Sequence, residues 1–160
     1  MNVTFAPKGI LQIDDARMVY RNFSGRGDKF NREGDRNFKL VIPDQETANR
    51  LIKEGWNVKV RPPREEGDEP FMTLPVKIKF KDRGPNVYLV TGRNRNRLDE
   101  ELVSMLDNVD IESVDLDIRP YDWEVNGKTG RTAYLLSMEV IQKVDRFADR
   151  WSDNDAPFDL

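Results

Sequence analysis

Short runs rich in β-branched and aromatic residues recur along the chain between turn signals, at roughly 10–23, 36–42, 56–61, 74–81, 86–91, 111–119, 121–126 and 131–143. Runs of this length and spacing predict strands, so the chain reads as mostly β. In the 74–81 run Val76, Ile78 and Phe80 share one parity while Lys77, Lys79 and Lys81 share the other, which makes one face apolar and the other cationic. The 56–61 run repeats the scheme, with Val58 and Val60 expected inward and Lys59 and Arg61 outward. Two stretches break the period of two and predict short helices. Over 44–55, Asp44 is placed to cap, Ala48, Leu51 and Ile52 form an apolar face, and Gly55 supplies a left-handed stop. Over 98–106, Leu98, Leu102, Met105 and Leu106 fall on one side, with Asp99, Glu100 and Glu101 in the first turn. The PPREEGDEP stretch at 62–70 predicts a surface loop, and Asn126-Gly127 a tight hairpin turn. Apolar periodicity stops near Asp145, which divides the chain into a domain over 1–144 and a disordered acidic tail over 145–160.

A length of 160 residues suits one domain of this kind. The net charge of −3 hides an asymmetry: residues 1–97 carry 20 Lys and Arg against 13 Asp and Glu, or +7, and residues 98–160 carry 6 against 16, or −10. A basic front attracts phosphate, and an acidic back competes with it. Cysteine and histidine are both absent, which removes disulfides, thiolate catalysis, zinc-thiolate sites and the commonest general base. No cofactor is expected. No apolar run approaches the ~18 residues of a membrane span, and the first residues lack a secretory leader's pattern, so a cytoplasmic location with no membrane association is expected. The acceptor triplets at Asn2 and Asn22 are then chance matches.

The stretch NFSGRGDKFNREGDRNFKLVI at 22–42 concentrates the chemistry. Gly25, Gly27 and Gly34 free the backbone, Arg26, Lys29, Arg32 and Arg36 supply charge, and Phe23, Phe30 and Phe38 supply rings. The GRNRNR stretch adds Arg93, Arg95 and Arg97 in an expected loop after the strand that carries Tyr88. Two residues of strand advance about 6.7 Å, close to the phosphate spacing of an extended single strand. Cations on strands and loops, mixed with aromatics, fit a flexible single strand better than a helix in a major groove would. The phosphate-contact candidates are therefore Arg26, Lys29, Arg32, Arg36, Lys59, Arg61, Lys77, Lys79, Arg93, Arg95 and Arg97, and the stacking candidates Phe23, Phe30 and Tyr88. About half of the large rings are expected in the core. The tail offers Asp153, Asp155, Pro157, Phe158 and Leu160 as a hook for a protein partner, because exposed apolar residues in an acidic segment invite binding.

Three short matches compete. Gly127-Lys128-Thr129 resembles the end of a phosphate-binding loop, but Asp122 stands where that loop needs glycine. Arg26-Gly27-Asp28 matches an adhesion tripeptide by chance. Asp110, Glu112, Asp115, Asp117, Asp122 and Glu124 could hold Mg²⁺ for phosphodiester cleavage, yet strand parity separates them and no lysine sits beside Glu124 to polarise water.

The segments GDRNFKLVIPD, GWNVK, PREEGDEP, PVKIKF and DIRPYDWEVNGKTGRTAYL resemble phage-encoded single-stranded DNA-binding proteins built on an oligonucleotide/oligosaccharide-binding (OB) barrel. The tail DNDAPFDL is similar to the acidic tips of bacterial and phage single-strand binders, although here Asp159 and Leu160 follow the phenylalanine. The resemblance implies a five-stranded OB-fold-like β-barrel, elaborated with extra strands and two short helices. It further implies non-catalytic, sequence-tolerant coating of single-stranded DNA in phage replication or recombination, in the bacterial cytoplasm, with replication or recombination proteins as partners of the tail. A protein-interaction or inhibitor module acting through the acidic half, and a Mg²⁺-dependent nuclease, are the alternative functions. Oligomeric state, a homo-oligomer included, and DNA against RNA are left open by the sequence.

Overall fold

Alternation of inward apolar and outward polar residues organises ten strands into one sheet in the computed structural model, which describes residues 1–81 and 84–144. They are β1 (Asn2–Phe5), β2 (Leu11–Ala16), β3 (Met18–Asn22), β4 (Arg36–Ile42), β5 (Lys59–Arg61), β6 (Phe71–Ile78), β7 (Asn86–Thr91), β8 (Asn94–Leu98), β9 (Ile111–Val125) and β10 (Lys128–Gln142). The proposed tail, with Asp153, Asp155, Pro157, Phe158 and Leu160, lies outside the described residues.

Five strand segments form a circuit. β2 and β3 are one stretch of chain bent at Arg17, whose carbonyl accepts the Val41 N–H at 2.9 Å. β2 pairs with β9 and β3 with β4; β4 pairs with β6, β6 with β10 in parallel, and β10 with β9. The path thus returns to its start along the bent β2–β3 stretch, as in a partly open OB-like barrel, and its one parallel seam is short, Val76 beside Ala133 and Lys77 beside Tyr134. Outside the circuit β1 extends β2, β5 extends β6, and the β7–β8 hairpin joins the later half of β10.

Phe38, Leu40 and Ile42 of β4, Leu74, Val76 and Ile78 of β6, and Val114, Leu116 and Ile118 of β9 fill the interior. β10 changes parity midway, burying Ala133 and Leu135 and then Met138 and Val140, because a bulge between Leu135 and Ser137 inserts one residue and re-phases the strand. The 44–55 expectation matches helix α1 (Gln45–Lys53): Asp44 accepts the Thr47 N–H at 2.7 Å, Ala48 and Leu51 are buried, and Gly55 follows at φ 91°. Ile52, at the margin of that face, is half exposed.

The expected second helix is not α-helical. Leu98 closes β8, the Asp99 carboxylate accepts the N–H groups of Glu101 and Leu102, and a 3-10 turn runs over Val103–Asp107. Its tighter winding repeats every three residues, so Val103 and Leu106 face the core while Leu102 and Met105 face solvent. β5 also departs from expectation: it lies at the sheet edge with Val60 exposed rather than inward. No helix among the described residues is long and apolar enough to cross a membrane.

Candidate nucleic-acid interface

Strand register builds a polar strip on the outside of the barrel. Asn37 on β4 pairs with Lys77 on β6, Lys77 with Tyr134 on β10, and Tyr134 with Arg119 on β9, so four outward side chains stand side by side. One strand-edge away, β5 sets Lys59 opposite Thr73 and Arg61 opposite Phe71. Over this strip hangs the connection between β3 and β4, residues 23–35.

The loop's composition explains its shape. Gly25, at φ 73°, packs where an added Cβ would meet the Gly34 carbonyl carbon at 3.1 Å, and the Gly34 N–H donates to the Gly25 carbonyl at 2.8 Å. A side chain at Gly25 would push the two legs apart, whereas Gly34 has open space and is held to glycine by its φ of 94°. Farther out, the Asn31 amide donates to the carbonyls of Arg26, Arg32 and Asp35, and its oxygen accepts from Asn37. The Phe30 N–H is held by the Asp28 carboxylate at 2.7 Å. Phe30 is thereby presented on an ordered tip, 92% exposed, where a large ring gains nothing from the core.

Phe30 stands between two grooves. The first, about 580 Å³, is lined by Tyr20, Arg26, Phe30, Lys39, Lys59, Arg61 and Phe71 among others. The second, about 850 Å³, is lined by Phe30, Arg32, Arg36, Lys77, Lys79, Phe80 and Tyr134 among others, and shares Phe30, Asn31, Asn37 and Lys39 with the first. Cations lie on rings throughout: Lys39 over Tyr20 at 5.4 Å, Arg61 over Phe71 at 4.9 Å, Arg36 over Phe80 at 5.6 Å, Lys29 over Phe30 at 5.9 Å, and Arg119 over Tyr134 at 4.8 Å. Such pairs offer a phosphate a positive charge and a base a flat face within one nucleotide's reach.

The structure gathers nine of the fourteen sequence candidates here: Arg26, Phe30, Arg32, Arg36, Lys59, Arg61, Lys77 and Lys79 line the grooves, and Lys29 lies on Phe30. Arg36 is partly engaged, donating to the Phe23 carbonyl at 2.9 Å and meeting Glu100 at 3.2 Å, and Arg32 lies 3.5 Å from Asp35. Phe23 is corrected from stacking candidate to core residue: it is fully buried and stacked on Phe38 with centroids 5.5 Å apart. Arg95 and Arg97 sit on strand β8 rather than in a loop, and Arg93 lies in the turn before it. Arg95 covers the half-buried Tyr88 at 3.7 Å and meets Glu139 at 3.1 Å, and Arg97 donates to the Asn86 side chain at 2.8 Å. None of these four lines either groove.

Sequence reasoning missed Tyr20, Lys39, Phe71, Phe80, Arg119 and Tyr134. For Lys39 and Tyr134 a signal existed, since each alternates with buried neighbours, Phe38 and Leu40 or Ala133 and Leu135. For Arg119 and Phe71 the decisive fact is which strand lies beside them, and one sequence does not state it.

The carboxylates have other occupations. Asp115 accepts the Asp15 N–H at 2.8 Å and Asp117 the Ser137 hydroxyl at 3.0 Å. Asp122 accepts two bonds from the Arg131 guanidinium, which holds its carboxyl below the usual range. No group of three or more His, Cys, Asp or Glu is arranged to hold a metal ion among the described residues. Gly127-Lys128-Thr129 begins in the hairpin turn, with Asn126 and Gly127 both at positive φ, 51° and 80°.

Comparison with known proteins bears on the fold and the family. A search of curated protein sequences finds no match. Among solved structures, the single-stranded DNA-binding protein from bacteriophage Enc34 superposes with a TM-score of 0.58 at 15% identity, covering 98% of this chain and 94% of that one. The Enc34 protein in complex with ssDNA also gives 0.58 at 15% identity, over 91% and 93% of the two chains. Its C-terminal truncation gives 0.53 at 16%, over 90% and 91%. At these identities the likeness establishes the fold. The sequence itself matches the model of the family described as "Putative phage ssDNA-binding domain" over residues 2–158. The chain therefore belongs to the phage ssDNA-binding domain family.

Proposed function

We propose that this protein coats single-stranded DNA without sequence preference and without catalysis, in the cytoplasm of the infected host, during phage replication or recombination. The observation that carries this reading is the pair of grooves that meet at Phe30, edged by cations seated on aromatic rings. Phosphates lie against Lys59, Arg61, Lys77, Lys79 and their neighbours, and unstacked bases lie on Phe30, Tyr20 and Tyr134. A duplex presents neither free base faces nor a backbone flexible enough to follow the strip. The domain of 1–144 does the binding, and the acidic segment 145–160 recruits replication or recombination proteins through Pro157, Phe158 and Leu160.

Fluorescence anisotropy of a labelled single strand, with duplex competitor at low and high salt, tests the binding role. Salt-sensitive binding that prefers the single strand is expected; no binding at low salt overturns the reading. Deleting residues 152–160 tests the tail: partner capture should be lost while the single strand is still bound, and retained capture of replication proteins refutes the hook.

A further inference from the structure

The loop that presents Phe30 needs a fixed base, and one of the groups that fix it comes from a distant part of the chain. Thirteen residues separate β3 from β4, a long connection for a compact barrel. Inside, the loop staples itself through Asn31, Gly25 and Gly34; where it leaves β3, the Asn22 side chain accepts the Arg26 N–H at 2.9 Å and donates to its carbonyl at 3.0 Å, and two charged side chains hold the residues between. The Asp107 carboxylate accepts the Phe23 N–H at 2.6 Å with one oxygen and the Ser24 N–H at 3.2 Å with the other. Arg36 donates to the Phe23 carbonyl, so both backbone polar groups of Phe23 are claimed by side chains while its ring is locked in the core. Asp107 is itself steadied, because it ends the 3-10 turn Val103–Asp107 and Arg21 donates to the Leu106 and Val109 carbonyls on either side of it, at 2.8 and 2.7 Å. Arg21 in turn lines the first groove.

Asp107 lines neither groove that meets at Phe30, and it is an acid near a surface built for a polyanion. On charge alone, removing it should tighten binding. Its geometry points the other way. Resting on the single-strand reading above, we propose that Asp107 is a positioning residue for DNA binding: its carboxylate clamps the start of loop 23–35, so that Arg26 and Phe30 stand in the grooves before the strand arrives. Without the clamp the loop must be ordered at the moment of binding, and affinity falls.

The test is a double-variant cycle on the full chain, with anisotropy of a labelled oligothymidylate for the unaltered protein, Asp107→Ala, Phe30→Ala and the two combined. If the unaltered protein does not bind, the single-strand reading itself fails. If it binds, Asp107→Ala is expected to weaken binding about tenfold, as loss of a hydrogen-bonding carboxylate implies. The combined variant should lose less than the two single losses added together, because part of what Asp107 does is to place that ring. Glu101→Gln removes an exposed carboxylate near the same turn that makes no hydrogen bond to the loop among the described residues, and it should leave binding equal or tighter. Should Asp107→Ala not fold, the isosteric Asp107→Asn, which offers one acceptor in place of two, is read by the same criteria. Additive losses, unchanged or tighter binding by the Asp107 variant, or an equal loss in Glu101→Gln each overturn the proposal.

Discussion

Phe23, Phe30 and Phe38 lie in one basic stretch of fifteen or so residues, yet they end in opposite places: two are stacked in the core and the third is 92% exposed. Substitution should separate them cleanly. Phe30→Ala is expected to leave thermal stability near that of the unaltered protein and to weaken single-strand binding by about 1–3 kcal/mol, the range for losing one stacked base. Phe23→Ala should do the reverse at the level of folding, costing about 3–5 kcal/mol by the cavity it leaves, as measured in a denaturant titration. Equal effects of the two on stability would refute the assignment. The sequence shows three similar rings among glycines and arginines; which one escapes burial depends on Gly25 meeting Gly34 and on the hydrogen bonds of Asn31, contacts that no composition or parity encodes. Lys77 and Lys79 were legible because strand alternation fixes their face without help from tertiary structure.

At the scale of elements, most strand positions, the Asn126-Gly127 turn and helix α1 were readable, since each rests on local rules, while β1 and β8 were not expected as strands. The cap of α1 gives a test with a pH sign. Asp44 is held below the ordinary carboxylate range chiefly by the Thr47 N–H. A carboxyl lowered in the folded state contributes stability that is present above its unfolded pKa and lost as pH falls through its folded pKa. Asp44→Ala should therefore lower the thermal midpoint at neutral pH, and the gap to the unaltered protein should close in strong acid; a gap constant with pH would remove the cap. The GRNRNR stretch was misread because asparagine and arginine resemble loop composition, whereas pairing of 94–98 with β7 makes it a strand whose guanidiniums lie against Tyr88, Glu139 and Asn86. Anisotropy titrations of single alanine variants should consequently find a larger loss of single-strand affinity for Lys59 or Arg61 on β5 than for Arg95 or Arg97 on β8. The opposite ranking would move the interface to the hairpin.

For the whole molecule, the cations of residues 1–97 do not spread evenly: the barrel circuit gathers a group of them onto one face. β4, β5 and β6 bring Lys39, Lys59, Arg61 and Lys77 there, Lys79 follows just past the end of β6, and the loop adds Arg26. These six have no carboxylate within ion-pair distance among the described residues, in contrast to Arg32, Arg36 and Arg95. A cation already paired releases less counterion from DNA than one that faces it alone, so the six set the electrostatic footprint. With a slope of about −0.7 per neutralised phosphate on a single strand, log affinity against log salt should fall with a slope of about −4. Replacing Lys77 and Lys79 together by alanine should reduce the magnitude by about 1–2 while leaving base preference unchanged. A slope shallower than about −2 in the unaltered protein would mean that stacking on Phe30 and its neighbouring rings, rather than the cationic face, carries the affinity.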